Sequence, residues 1–131
     1  MTRSKNLDGL TFPRVTLHGI RNCDTVKKAR AWLDGAGIAY RFHDYKADGI
    51  DSAMLDRFSA QIGWERLLNR AGTTFRKCVP AAERATIEAT RARALMLAHP
   101  SMIRRPVLDI EGHLLVGFDP KAYEQAFAAA A

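Results

Sequence analysis

Residues 14–45, RVTLHGIRNCDTVKKARAWLDGAGIAYRFHDY, decide the fold. Within 14–19, the apolar Val15 and Leu17 alternate with Thr16 and His18, the period of a half-buried strand, and Gly19 closes it. From Asp24 to Ala36 the apolar positions Val26, Ala29, Leu33 and Ala36 recur at helical spacing, with Lys27, Lys28 and Arg30 on other faces. This predicts an amphipathic helix ended by Gly35 and Gly37. Ala39 to Tyr45 reads as a second strand, with Tyr40 and Phe42 on one side and Arg41 and His43 on the other. Strand, helix and strand together make a β-α-β unit.

Downstream, Asp51 is a candidate N-cap for a helix carrying Leu55, Phe58 and Ile62 on one stripe and stopping at Gly63. A short helical turn follows through Leu67 and Leu68. Pro80 suits a first helical position, and the Ala-rich stretch to Ala98 has strong helix propensity, in one piece or two, before Pro100 interrupts it. Val107 to Ile110 and Leu114 to Val116 flank Glu-Gly-His as a hairpin, and Asp119-Pro120 forms an N-cap and N1 pair for a last helix with Tyr123 and Phe127. The order β-α-β, helices, β-β-α predicts an α/β chain forming one domain over 1–131. Its expected architecture is a thioredoxin-like core with a helical insertion between the second and third strands, at about 50–104. Residues 1–13 are expected to fray.

Hydrophobic residues make up 47% of the 131 and charged residues 26%, with 9 Gly and 5 Pro, which excludes disordered and collagenous classes. No apolar run approaches the roughly 18 to 20 residues that span a bilayer, and the opening MTRSKNLDGLTFPR lacks a secretory signal pattern. Two cysteines, Cys23 and Cys78, do not make a disulfide framework or a Cys-rich zinc site, so the expected compartment is a reducing cytoplasm. The net charge of +6 attracts anions of any kind, from glutathione and oxyanions to acidic proteins and nucleic acid. Nucleic acid is the weakest of these partners, because the basic residues are spread along the chain with no recognition element. His18, His43, His99 and His113 share no metal-ligand spacing and are assigned structural roles.

The segment GIRNCDTVKKA, 19–29, concentrates the chemistry. It places Cys23 where a strand hands over to a helix, and unpaired N–H groups and the dipole at a helix start favour a thiolate, the nucleophilic form of a cysteine. Arg21, Lys27 and Lys28 add positive charge and Asp24 opposes it. On these residues alone, a reactive Cys23 and an inert, buried one are equally supported. A resolving cysteine would stand three positions later, where this chain has Val26, so a mixed disulfide at Cys23 needs an outside thiol or Cys78. Cys78 itself reads as packing filler. Arg105, before Pro106, offers a planar multi-donor group for a carboxylate or oxyanion, or a solvated charge; Arg70, Arg76 and Lys77 face the same choice.

Together GIRNCDTVKKA, YRFHDYKADG at 40–49, GTTFRK at 72–77, RRPVL and the later GF at 117–118 resemble the arsenate reductase (ArsC)/Spx family, most closely its YffB-like branch of thiol reductases, from Val15 to Phe127. The resemblance implies a thioredoxin-like core, a nucleophilic Cys23, glutathione as the thiol partner, and Arg105 followed by a cis Pro106. Asn22 would assist at the anion site, and another arginine of the family's pattern aligns near Arg70. Three positions depart from the pattern. Gly19 stands where arsenate reductases of the family carry histidine, 116–118 holds no arginine, and Val26 removes the second cysteine of an Spx-type switch. The expected activity is glutathione-dependent thiol reduction through one cysteine, with no bound metal or nucleotide cofactor, and with glutaredoxin or a protein thiol as further partner. The alternatives are arsenate reduction with glutathione and glutaredoxin, and a non-enzymatic module that docks on RNA polymerase.

Overall fold

The structure is a computed structural model and describes residues 3–5 and 11–130. The chain divides into two compact units, Met1–His43 with Arg105–Ala131, and Asp44–Arg104. Of the residues expected to fray, β1 (Arg3–Lys5) pairs antiparallel with β2 (Thr11–Pro13), and the rest of 1–10 lies outside the described residues.

The first unit is built on β3 (Val15–Gly19), α1 (Asp24–Gly35) and β4 (Arg41–Asp44), followed after the second unit by β5 (Val107–Ile110), β6 (His113–Val116) and α8 (Pro120–Ala130). The four strands lie in the order β4-β3-β5-β6, with β3 antiparallel to β5 and β5 antiparallel to β6. The four strands with their helices make a mixed α/β unit of the thioredoxin-like fold. Alternation along β3 buries Val15 and Leu17, and the helical stripe of α1 buries Val26, Ala29 and Leu33, which pack with Leu108, Ile110 and Tyr123 as one core. Burying each large apolar side chain stabilises the fold by about 1.5–3 kcal/mol. Trp32 of α1 meets Tyr123 edge-on at 5.4 Å and stacks on Phe127 at 5.9 Å, which fixes α8 beside α1.

The ends of these elements follow local chemistry. After α1, Gly37 adopts φ 71° and donates to Asp34 O at 3.1 Å while Ile38 N donates to Leu33 O at 3.0 Å, the paired bonds of a Schellman stop. Glu111 (φ 50°) and Gly112 (φ 93°) form a two-residue hairpin turn, with Gly112 N donating to Asp109 Oδ1 at 2.7 Å. His113 therefore opens β6, pairing with Ile110, and is not part of the turn as the expected Glu-Gly-His loop would have it. Asp119 caps α8 through Lys121 N at 3.1 Å, with Pro120 as its first residue.

The second unit is helical: α2 (Tyr45–Asp48), α3 (Ser52–Ile62), α4 (Trp64–Leu67), α5 (Thr73–Cys78), α6 (Ala81–Arg84), α7 (Ala89–Ala98) and a 3-10 turn at Pro100–Met102. Asp51 caps α3 as expected, accepting from Met54 N at 2.7 Å, and Leu55, Phe58 and Ile62 are buried. The Ala-rich stretch forms two pieces, α6 and α7. Across α3 and α7, Arg93 binds the Asp56 carboxylate with two nitrogens, at 2.8 and 3.2 Å, which holds that carboxyl below its usual range. Leu68 bridges Ile103, and Arg104 N donates to Leu67 O at 2.7 Å, so the unit closes on itself where the chain leaves it.

Three expectations are corrected here. The second strand ends at Asp44, and Tyr45 begins α2, because the Asp44 carboxylate accepts from Lys46 N (2.8 Å) and Ala47 N (3.1 Å) and starts a helix. Residues 73–78, assigned no element from the sequence, form α5. Pro80 is the residue before α6 and not its first helical position.

Gly19 marks the tightest approach of β3 to α1. A Cβ built there would lie 2.7 Å from Val26 Cγ2 and 3.3 Å from Cγ1, and a β-branched side chain in a helix has little rotamer freedom with which to yield. Gly19→Ala is expected to destabilise the protein in urea by about 1–3 kcal/mol. Combined with Val26→Ala it should cost at least about 0.5 kcal/mol less than the sum of the single changes. Strict additivity would refute the steric coupling.

Tyr123 is 1% exposed, its hydroxyl donates to Gly117 O at 3.2 Å, and burial raises its ionisation well above the usual phenol value. An acid whose folded-state value is raised stabilises the fold fully below the unfolded value near 10, and this contribution is lost as pH rises beyond it. Stability should therefore fall above about pH 10 by about 1.4 kcal/mol per pH unit from this group. Tyr123→Phe is expected to remove that slope while costing about 1 kcal/mol at neutral pH. Urea midpoints between neutral and alkaline pH measure both effects.

Candidate active site

Strand β3 delivers the chain through Ile20 and a turn at Arg21-Asn22 to Cys23, which is the N-cap residue of α1. Its backbone is extended (φ −133°, ψ 124°) and its carbonyl accepts the first intrahelical bond from Lys27 N at 2.9 Å. A cap position places a side chain at the mouth of the first turn, where backbone N–H groups lack helical acceptors. The Cys23 side chain itself makes no capping hydrogen bond. Cys23 is half-buried against the core formed by β3, α1, β5 and Tyr123, while Asn22, Asp24 and Thr25 are exposed.

The other predicted residues of this unit come to the same end of the sheet. His18 pairs with Val107, so the step before Val107 continues alongside Gly19, four residues ahead of Cys23. That step is Arg105-Pro106, whose peptide bond is cis, as the resemblance implied. Pro106 is buried, its carbonyl accepts from Gly117 N at 2.8 Å, and Arg105 is half-buried. Arg70 belongs to the helical unit. There it is exposed, lies over the Trp64 ring at 5.9 Å and donates to Arg84 O at 3.1 Å.

Positive charge near the cysteine loop is organised on an aromatic ring. Arg30 of α1 lies over Phe42 at 4.2 Å and donates to the Tyr40 hydroxyl at 3.0 Å, and Arg21 lies over the same Phe42 at 6.0 Å. Rings so occupied hold guanidinium groups in place without neutralising them. Lys27 and Lys28 are exposed on α1.

Sequence reasoning missed one close pairing in this unit. His18 is buried, and its Nδ1 lies 2.8 Å from Nδ1 of His43, with the rings edge-on. One nitrogen donates and the other accepts, so the pair cannot carry two charges without losing the bond. The signal lay in the two strands of the β-α-β unit: neighbouring strands bring 18 and 43 side by side, but periodicity alone does not give their register.

Comparison with known proteins follows the same outline. The ArsC family matches residues 18–126. The chain is 39% identical over 114 residues to an uncharacterized protein of Haemophilus influenzae, covering 87% of this chain and 99% of the relative. Among solved structures, the YFFB protein is 54% identical, with a TM-score of 0.80 over 86% of this chain and 98% of the other. An arsenate reductase (ArsC) related protein from Brucella melitensis is 58% identical, with a TM-score of 0.73 over 87% and 94%. A family match over residues 18–126, with relatives 39–58% identical along most of both chains, makes the chain a member of the ArsC family.

Proposed function

We propose that this protein is a thiol-based reductase that uses Cys23 as its single nucleophile and glutathione as its thiol co-substrate, acting in the reducing cytoplasm. The observation that supports this most is the position of Cys23: half-buried, at the N-cap of α1, with its thiol not spent on a capping hydrogen bond. Membership of a family with arsenate reductase relatives agrees with it. Among the described residues no helix is long and apolar enough to cross a membrane.

In the proposed reaction the Cys23 thiolate attacks a sulfur of the oxidised substrate, expelling the reduced thiol and forming a mixed disulfide. When the attacked sulfur belongs to glutathione, a second glutathione attacks it in turn, releasing oxidised glutathione and restoring the Cys23 thiolate. An external thiol is needed because Val26, fully buried, stands where a resolving cysteine would be. Arg105 binds a carboxylate of the tripeptide, assisted by Asn22 beside the thiol, and Pro106 shapes the backbone on which it rests. Glutaredoxin or a protein thiol fits as the electron-transfer partner.

Arsenate reduction is a second possibility, favoured by the Brucella relative. Gly19 weighs against it, since any side chain there meets Val26 and the histidine of that pattern has no room.

Steady-state reduction of a glutathione mixed disulfide with a small thiol tests the proposal. Cys23→Ser is expected to lower turnover by at least about a hundredfold, and Cys78→Ser to leave it at the wild-type level. Equal turnover in Cys23→Ser would refute the proposal. Arg105→Ala should raise KM for the glutathione substrate about tenfold, and Arg105→Lys should not restore it, because a single ammonium lacks the two-point grip on a carboxylate. Turnover of arsenate above the thiol background, abolished by Arg105→Ala, would favour the second possibility.

A further inference from the structure

The helical unit contains a second cysteine whose surroundings are unlike those of packing filler. Cys78 is the last residue of α5, is half-buried, and its Sγ lies 3.7 Å from Nε2 of His99, also half-buried. His99 is held from both sides by its backbone, N donating to Leu95 O and the carbonyl accepting from Met102 N, each at 2.8 Å. One turn earlier on α5, Thr74 Oγ1 accepts from Ser101 Oγ at 3.0 Å. Thr74, Cys78, His99 and Ser101 thus form a polar seam beside the buried Phe75 and Val79.

Basic side chains lie around the seam. A helix C-terminus ordinarily opposes negative charge, but Arg84 lies across the end of α5, its Nε donating to Val79 O at 3.0 Å and Nη2 to Arg76 O at 2.9 Å. Arg76 and Lys77 on α5 are exposed, and the carboxylate of Glu83 is engaged by Arg91 at 2.8 Å. His99 itself follows the last turn of α7.

We propose that Cys78 and His99 form a second thiol–disulfide exchange site, which takes up a low-molecular-weight thiol as a mixed disulfide. The Cys78 proton passes to His99 Nε2, and the thiolate attacks one sulfur of an incoming disulfide. The disulfide S–S bond breaks as the Cys78 S–S bond forms, and the leaving thiolate takes the proton from His99. Cys78 is oxidised, the disulfide is reduced, and one free thiol is released. Excess thiol reverses the step. The site is independent of the role given to Cys23, and its exchange is at least about a hundredfold slower than turnover at Cys23, so it does not sustain the reductase cycle.

The test uses the Cys23→Ser protein exposed to oxidised glutathione, followed by intact mass and peptide mapping. A single adduct is expected at Cys78, removed by excess reduced glutathione. Adding His99→Gln should slow its formation by at least about tenfold at neutral pH. The same change should turn a shallow pH dependence into one that climbs about tenfold per pH unit. No adduct at Cys78, or the same rate and pH profile with and without His99, overturns the proposal. Should the His99 variant not fold, iodoacetamide alkylation of the Cys23→Ser protein decides alone. A reactive plateau below neutral pH supports the site, and a rate climbing about tenfold per unit from about pH 5 to about pH 8 overturns it. Because Cys23 is absent throughout, failure here leaves the proposed reductase function untouched.

Discussion

The contact between Gly19 and Val26 governs how the first unit is assembled. A strand that must turn directly into a helix packed on its own sheet brings the two backbones close, and here the space that a Cβ would fill at 19 is taken by a methyl group of Val26. That closeness lets Ile20 to Asn22 make the turn and leaves Cys23 at the cap of α1. Gly19 and Val26, two positions singled out in the sequence, are therefore the two sides of one steric contact.

The antiparallel register of β3 and β5 then determines what stands near the cap. His18 opposite Val107 brings the Arg105-Pro106 step level with Gly19, and the bond from Gly117 to Pro106 ties that step to the chain leaving β6. An arginine far away in sequence thereby joins the cysteine's end of the sheet without belonging to the same loop. Arg21 and Arg30, stacked on Phe42, supply further fixed positive charge on the edge strand. Together these features describe a cysteine in a cationic setting.

The helical unit shows the same economy with different parts. Arg84 satisfies the carbonyls at the end of α5, Arg70 donates to the Arg84 carbonyl, and the seam through Cys78 and His99 runs beside these bonds. The basic residues of this stretch, read from the sequence as solvated charge or anion ligands, spend several of their donors on helix ends. The excess of positive charge is thus partly structural.

What the sequence determined by itself was whatever depends on neighbours a few residues apart. The stripe of α1, the stripe and cap of α3, the proline and aspartate that start α8, and the β-hairpin all follow from periodicity and end chemistry acting within one turn of chain. Even there, Asp44 overrode the strand pattern at Tyr45, because two backbone N–H groups bound to one carboxylate outweigh an aromatic residue's preference for a strand. The brief α5, with two threonines and no apolar stripe, left no periodic trace. Only the tertiary structure decided the partners separated by tens of residues: His18 with His43, Cys78 with His99, Gly19 level with Pro106. Such pairs depend on strand register and helix packing, which are set by the burial of many side chains at once and are written in no single stretch of sequence.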